Sequence, residues 1–99
     1  MKLYDVAHCR TGDKGNTITL SVIPYQEEDY DFLKKTLSEE IVQKHLSGIV
    51  KGKVKRYEVD NILALQFVCS EALASGVTTS LTSDTHGKTL SYALLEIEL

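Results

Sequence analysis

The first part of the chain has the polar and apolar pattern of two β-strands. Residues 2–8 are rich in residue types that suit a pleated strand, and residues 17–23 place apolar and polar side chains at alternate positions. Residues 10–16, between them, contain two glycines and mostly polar side chains, which favours a tight and exposed connection. We therefore predict a β-hairpin whose connection is open to solvent.

A helical region is predicted after the hairpin. Pro24 ends the second strand because it has no backbone N–H for a sheet ladder, and the acidic run behind it suits a helix N-terminus. Apolar residues recur at helical spacing over residues 30–37. Thr36 and Glu39 have the spacing of a capping box, which predicts a second helical segment through His45.

The second half of the chain predicts further strands and helices in alternation. Residues 50–59 have the pattern of a third strand. Residues 62–69 are apolar enough for a buried helix or a strand, and a helix that ends near Gly76 is the interpretation we favour. A fourth strand is predicted over residues 77–82, followed by a final helix from Asp84 with an apolar stripe.

Together these elements predict a single α+β domain over residues 1–99. The order suits a two-layer sandwich, with a sheet of about four mainly antiparallel strands and helices on one face. A chain of 99 residues is too short for two useful cores, and 42% hydrophobic with 25% charged residues is typical of a folded domain. So small a domain leaves little room for a deep pocket enclosed by one copy.

Charge and targeting signals limit the function. A net charge of −3 disfavours broad attraction to nucleic acid. The chain shows no basic and then apolar leader and no apolar run of about 20 residues, so we expect a cytoplasmic protein without membrane insertion. Cys9 and Cys69 are expected to be reduced thiols, and neither a metal site nor a cofactor is predicted.

The polar hairpin connection has the residue types that hold an anion. Arg10 can grip a carboxylate or phosphate with its planar guanidinium, Lys14 adds a point charge, and the glycines let backbone approach a ligand. The segment lacks the spacing and Lys-Ser/Thr pair of a P-loop, so no nucleotide site follows. The alternative is an ordinary hairpin turn in which Asp13 caps backbone donors. The predicted anion-binding residues are Arg10, Gly12, Asp13, Lys14, Gly15 and Asn16.

Histidines and a thiol supply the candidates for catalysis. His8 and His86 could act as acid and base if the fold brought them near Asp13, and the alternative for both is a surface or structural role. Cys9 stands beside Arg10, which could lower its thiol pKa, but a nucleophile also needs a positioned base.

A short basic run offers a further contact surface. Lys51, Lys53, Lys55 and Arg56 could meet an acidic partner or a phosphorylated cofactor, and the alternative is a solvated strand face. Tyr57 shares the face of the three lysines in the predicted third strand.

The segment Tyr4-Asp5-Val6-Ala7-His8-Cys9-Arg10-Thr11-Gly12-Asp13-Lys14-Gly15-Asn16 resembles the start of the C-terminal ferredoxin-like domain of the acyclic terpene utilisation protein A family. That resemblance implies a ferredoxin-like fold. In that family the domain commonly follows a much larger N-terminal domain, and the proteins are associated with catabolism of branched or terpenoid acids through CoA thioesters. No catalytic residue carries over from the family. The later segments that agree in order are residues 52–58, 61–67, 71–73, 76–78, 84–88 and 93–95.

Three functions follow as hypotheses. The first is an accessory subunit that joins a larger partner, or a binding module for small anions in acyl-CoA metabolism. The second is a stand-alone enzyme acting on a carboxylate or CoA ester, with His8 or His86 as acid or base. The third is a purely structural oligomerisation domain, so a homo-oligomer is also expected as a possible assembly.

Overall fold

The computed structural model describes residues 1–14, 17–50, 52–70 and 90–99, and for Asp13 and Lys14 it describes the backbone. The described elements are four strands, two α-helices and two short 3₁₀ turns, and residues 90–95 are also helical. In chain order they are a 3₁₀ turn (Leu3–Asp5), β1 (Ala7–Lys14), β2 (Thr17–Pro24), α1 (Asp29–Thr36), α2 (Glu39–His45), β3 (Val54–Val59), a 3₁₀ turn (Asp60–Ile62) and β4 (Ala64–Cys69).

The four strands form one antiparallel sheet in the order β1-β2-β4-β3. β1 and β2 pair from Ala7 with Pro24 to Lys14 with Thr17, which leaves a connection of two residues. β4 lies in the middle of the sheet because it pairs with both β2 and β3. The predicted α+β class with an antiparallel sheet is confirmed.

The core lies between the sheet and the helices. We call the sheet side that meets α1 and α2 the inner face; Ile18, Leu20 and Val22 of β2 lie on it and are fully buried. Burial of such apolar surface is the main stabilising contribution to a small domain. The core residues outside β2 are Leu3, Ala7, Tyr30, Leu33, Leu37, Val42, Leu46, Val50, Val54, Leu65, Phe67, Cys69, Leu90, Leu94 and Ile97.

The first strand starts later and runs further than predicted. Residues 3–5 form a 3₁₀ turn instead of a strand, and β1 begins at Ala7. Residues 10–14 belong to β1, so the prediction of a connection over residues 10–16 is wrong for these five positions. The reason is the long ladder with β2, which supplies cross-strand partners that a local glycine pattern does not reveal.

The second helix begins at a different cap from the one predicted. Ser38 is its N-cap, and the Ser38 hydroxyl oxygen accepts a hydrogen bond from the backbone N–H of Ile41 at 3.2 Å. The hydroxyl of Thr36 instead donates to the carbonyl oxygen of Phe32 at 2.8 Å, inside α1. The helix itself extends to His45 as expected.

The helix predicted over residues 62–69 is wrong, because Ala64–Cys69 is strand β4. The chain turns into it through Leu63, whose φ of 52° is left-handed. The third strand spans Val54–Val59, four residues shorter than predicted at its start. The predicted fourth strand over residues 77–82 and the helix start at Asp84 lie outside the described residues.

Within the described ranges, no helix is long and apolar enough to cross a membrane.

Candidate functional site: the outer face of the sheet

The candidate site is the sheet side that faces away from α1 and α2, which we call the outer face. Side chains alternate between the two faces of a strand, so the neighbours of each core residue stand on the outer face. The pairing registers align Arg10 with Ser21, Ser21 with Gln66, and Gln66 with Tyr57. These four residues therefore form one row across all four strands, about 14 Å from the first to the last.

Positive charge is concentrated on this face. Arg10 and Lys55 occupy outer-face positions on the two edge strands and are exposed, as is Lys53 immediately before β3. No Asp or Glu whose side chain is described stands at an outer-face strand position. The outer face is thus cationic on a chain whose net charge is −3, so its local potential is opposite in sign to the average of the molecule.

Apolar side chains also stand on this face: Ile23 and Val59 lie at the end of the sheet that carries His8, and Val68 lies in the row of Lys55. Ile23, Val59 and Val68 are half-buried at outer-face positions, and the Tyr57 side chain is 47% exposed. A tyrosine on a partly apolar surface offers a large contact area together with a hydroxyl group. Such a mixed surface is typical of the regions that bind other proteins.

Four of the six predicted anion-binding residues lie in strand β1 and not in a loop. Arg10 and Gly12 share the outer face of β1, and Thr11 between them belongs to the opposite face. Asp13 and Lys14 lie in β1 with backbone pairing to Ile18 and Thr17. Gly15 and Asn16 lie outside the described residues. The structure therefore places one described cation of the predicted set, Arg10, on the outer face.

The two candidate acid-base histidines differ in what the structure describes. His8 stands on the outer face, and its ring lies 5.5 Å from that of Tyr25 at an interplanar angle of 33°. None of the described carboxylates pairs with it, although an acid-base histidine is usually oriented by such a group. His86 lies outside the described residues, so its distance from His8 and Asp13 stays a prediction.

The third histidine has a structural contact that the sequence pattern did not predict. His45 Nε2 lies 2.6 Å from the carbonyl oxygen of Ala93. The nitrogen donates to this oxygen, and the bond ties the end of α2 to the helical segment over residues 90–95.

Both thiols are free and belong to the core side of the sheet. Burial, with a smaller contribution from the Cys69 thiol, raises the pKa of Cys9 to about 12. Burial raises the pKa of Cys69 to about 11. Since the thiolate is the nucleophilic form, neither cysteine is activated at neutral pH. The neighbouring Arg10 is exposed on the other face and does not reverse this effect for Cys9.

The raised pKa values of these thiols predict that the protein loses stability at alkaline pH. A group whose pKa is higher in the folded state favours the folded form while protonated, so this contribution is lost as pH rises from the unfolded value of 9.0 towards the folded values. We expect the urea midpoint to fall between pH 9 and 11, and the Cys9→Ala/Cys69→Ala variant to show a smaller fall. An equal pH dependence in both proteins would contradict this assignment. Tyr30, whose pKa is raised to about 12 chiefly by burial, adds a further decrease above pH 10 in both.

The predicted basic run divides between the two sides of the sheet. Lys53 and Lys55 are exposed with Tyr57, as the shared face predicted. Arg56 instead points to the helices, where its guanidinium donates to the carbonyl oxygens of Lys34 and Leu37 at 2.9 and 3.1 Å. Lys51 lies outside the described residues.

The structure adds three residues to the candidate site, namely Ser21, Gln66 and Thr19. The alternation of β2 placed Thr19 and Ser21 away from the core, but their alignment with Arg10 and Tyr57 depends on pairing between distant segments. In the part of the chain that is described, no three His, Cys, Asp or Glu side chains are grouped to hold a metal ion.

Comparison with known families gives one match that covers the whole chain. The model of the AtuA ferredoxin-like domain matches residues 1–99. No curated protein and no solved structure gives a significant match. The antiparallel four-stranded sheet with helices on its inner face is the ferredoxin-like α+β architecture that the match implies.

Proposed function

Since this chain belongs to the AtuA ferredoxin-like domain family, we propose that it is an accessory subunit of an acyl-CoA-processing system and joins a larger partner through its outer face. The observation that carries this proposal is the composition of that face. Exposed cations stand on or beside both edge strands, the same face carries half-buried aliphatic residues and an exposed tyrosine, and no described carboxylate stands among them.

The extent of the outer face supports a protein partner over a small anion. Small-molecule sites are concave and bury most of the ligand. Arg10 and Lys55 instead stand on opposite edge strands of an open sheet, and these strands are about 14 Å apart. A protein surface can reach both groups at once, whereas one carboxylate or phosphate cannot.

Charge favours a different chain over a second copy on this face. Two copies docked outer face to outer face would bring Arg10, Lys53 and Lys55 of each against like charges, and such contacts are unfavourable. A partner with an acidic surface would complement them. The large N-terminal domain that accompanies this domain elsewhere in the family is the candidate partner.

The alternative of a stand-alone enzyme has less support. Both thiols have raised pKa values, and His8 contacts an aromatic ring with no carboxylate beside it in the described structure. A binding role depends instead on side chains that the fold exposes on the outer face, such as Arg10, Lys55 and Tyr57.

The test is complex formation with a separately expressed large domain of the family from the same genome, measured by sedimentation velocity. We expect a complex of the two chains, and we expect Tyr57→Glu to weaken it by about 30-fold in Kd, the loss typical of an aromatic interface residue. Tyr57 stands at the centre of β3, and its exposed side chain makes no described hydrogen bond, so the substitution should leave the fold intact.

Tyr92→Glu is the matched control, because Tyr92 is 69% exposed in the helical segment over residues 90–95, on the other side of the sheet. This variant should bind like the wild type. Equal weakening by both variants would place the contact elsewhere. The absence of any complex with the large domain would remove the subunit proposal.

A further inference from the structure

The two edge strands of the sheet differ in whether their outward-pointing backbone groups have hydrogen-bond partners. At the β3 edge, the backbone N–H of Val54 donates to Gln43 Oε1 at 2.6 Å, and that of Arg56 donates to Glu39 Oε2 at 2.8 Å. Gln43 also donates through Nε2 to the carbonyl oxygen of Gly52 at 3.1 Å. Side chains of α2 thus occupy the groups through which another strand would pair, which is a usual protection of an edge strand.

The β1 edge has no such protection within the described structure. The Tyr25 N–H donates to the Val6 carbonyl oxygen at 2.9 Å, which fixes the hydrogen-bonded positions of the β1·β2 ladder as the even-numbered residues of β1. The backbone groups of Cys9 and Thr11 therefore point away from β2. No described group accepts from their N–H or donates to their carbonyl oxygens.

Gly12 lies inside this edge strand without a conformational or packing reason among the described residues. Its φ is not in the left-handed region, and a Cβ added to it meets nothing within 4 Å. Glycine weakens a strand interior, and where it occurs there it often marks a bulge, a tight bend, or the close approach of a ligand or another backbone. The register of β1 with β2 is unbroken through Gly12, so it marks no bulge in this pairing. The space over Gly12 opens on the outer face, beside Arg10.

We propose that β1 pairs with β1 of a second copy, antiparallel and about a two-fold axis at Thr11, to form a continuous sheet of eight strands. In this arrangement the outward backbone groups of Cys9 and Thr11 find partners. Arg10 of each copy lies opposite Gly12 of the other, so the glycine provides room for the guanidinium chain.

The register follows from the alternation and from charge. Residues whose backbone groups point away from β2 must pair with residues of the same kind in the other copy. The two-fold axis therefore falls at a residue and not between two residues. An axis at Arg10 would set the two arginines directly opposite each other, which is unfavourable. An axis at Cys9 would set Arg10 opposite His8, and one at Gly12 would set it opposite Lys14. Of these four axes, the one at Thr11 sets Arg10 opposite a residue with neither a charge nor a side chain, Gly12.

This assembly goes beyond the proposed partner contact and does not depend on it. Edge pairing leaves the outer face open and makes the two outer faces of the dimer continuous. The two proposals can fail separately. Dimerisation without binding of the large domain would support only the edge pairing, and binding without dimerisation would support only the partner contact.

The test is the monomer–dimer equilibrium of the purified chain, measured by sedimentation equilibrium over a range of concentrations. We expect a dimer whose dissociation constant responds in opposite directions to opposite charges at position 12. Gly12→Glu places a carboxylate opposite Arg10 twice per dimer and should tighten dimerisation by about tenfold, while Gly12→Arg should weaken it by about tenfold. The chain has a net charge of −3, so general charge repulsion between two copies would have the opposite effect. It would weaken the dimer of Gly12→Glu and strengthen that of Gly12→Arg.

Gly48→Glu and Gly48→Arg are the matched controls, since Gly48 is exposed and a Cβ there also meets nothing within 4 Å. The dissociation constants of these variants should change only as general charge repulsion between the copies predicts. Amide hydrogen exchange supplies an independent readout, because the N–H of Thr11 should become more protected as the dimeric fraction increases. A chain that is monomeric at all concentrations, a dimer indifferent to the charge at position 12, or a Thr11 amide equally protected in the monomer would overturn the proposal.

Discussion

Replacing Gly52 by alanine is expected to lower the free energy of unfolding by about 3 kcal/mol, the upper range for overpacking a tight site. A Cβ at this position would overlap the carbonyl oxygen of Ser70 and lie 2.6 Å from its hydroxyl oxygen. Ser70 cannot move aside easily. Its N–H donates to the Lys53 carbonyl oxygen at 3.0 Å, and its hydroxyl oxygen accepts from the Lys53 N–H at 2.9 Å.

Urea denaturation of Gly52→Ala beside Gly48→Ala measures this effect. An added Cβ at Gly48 meets nothing within 4 Å, so its change should stay within about 0.5 kcal/mol. Comparable midpoints for the two variants would show that the close approach at Gly52 relaxes at little cost. The result bears on the fold because Gly52 and Ser70 lie where the end of β4 meets the start of β3.

Much of the fold could be predicted from short-range patterns. The alternation over residues 17–23 identified β2, and every buried position in it is apolar. Helical spacing identified both α1 and α2, although the cap of α2 is Ser38. These elements have one side in the core and one in solvent, which is the situation in which periodicity is informative.

The failure at residues 62–69 has a physical cause. This segment becomes β4, the strand between β2 and β3, and it carries core residues such as Leu65 and Phe67 beside a half-buried Val68. An apolar run of this length is compatible with a buried helix or a central strand. Pairing on both edges decides between them, and that pairing is with residues distant in the sequence.

The candidate site was harder to predict for a related reason. Glycine and polar residues over 10–16 gave a local turn pattern, but the ladder with β2 continues through Lys14. Strand alternation then separates neighbours in the sequence and aligns Arg10 with Ser21, Gln66 and Tyr57. The residue types indicated a surface for negatively charged groups, whereas its geometry depends on registers that no single segment encodes.

Arg56→Ala is expected to lower the free energy of unfolding by about 2–3 kcal/mol, the range for losing hydrogen bonds from a charged donor. The guanidinium donates through Nη1 to the carbonyl oxygens of Lys34 and Leu37, at the end of α1, and through Nη2 to Glu58 Oε2 at 2.8 Å. A positive charge at a helix C-terminus is favourable, and hydrogen bonds from charged donors stabilise more than neutral ones. Alanine leaves two carbonyl oxygens and a carboxylate without these donors.

Lys55→Ala is the control for Arg56→Ala, because Lys55 is the adjacent residue, is exposed and makes no described ion pair. Its urea midpoint should stay near that of the wild type. Arg56→Lys should recover only part of the lost stability, since one ammonium cannot reproduce the planar fork that reaches both α1 and Glu58. If lysine restored full stability, charge alone would account for Arg56; if alanine changed the midpoint no more than Lys55→Ala, the link between β3 and α1 would have little energetic weight.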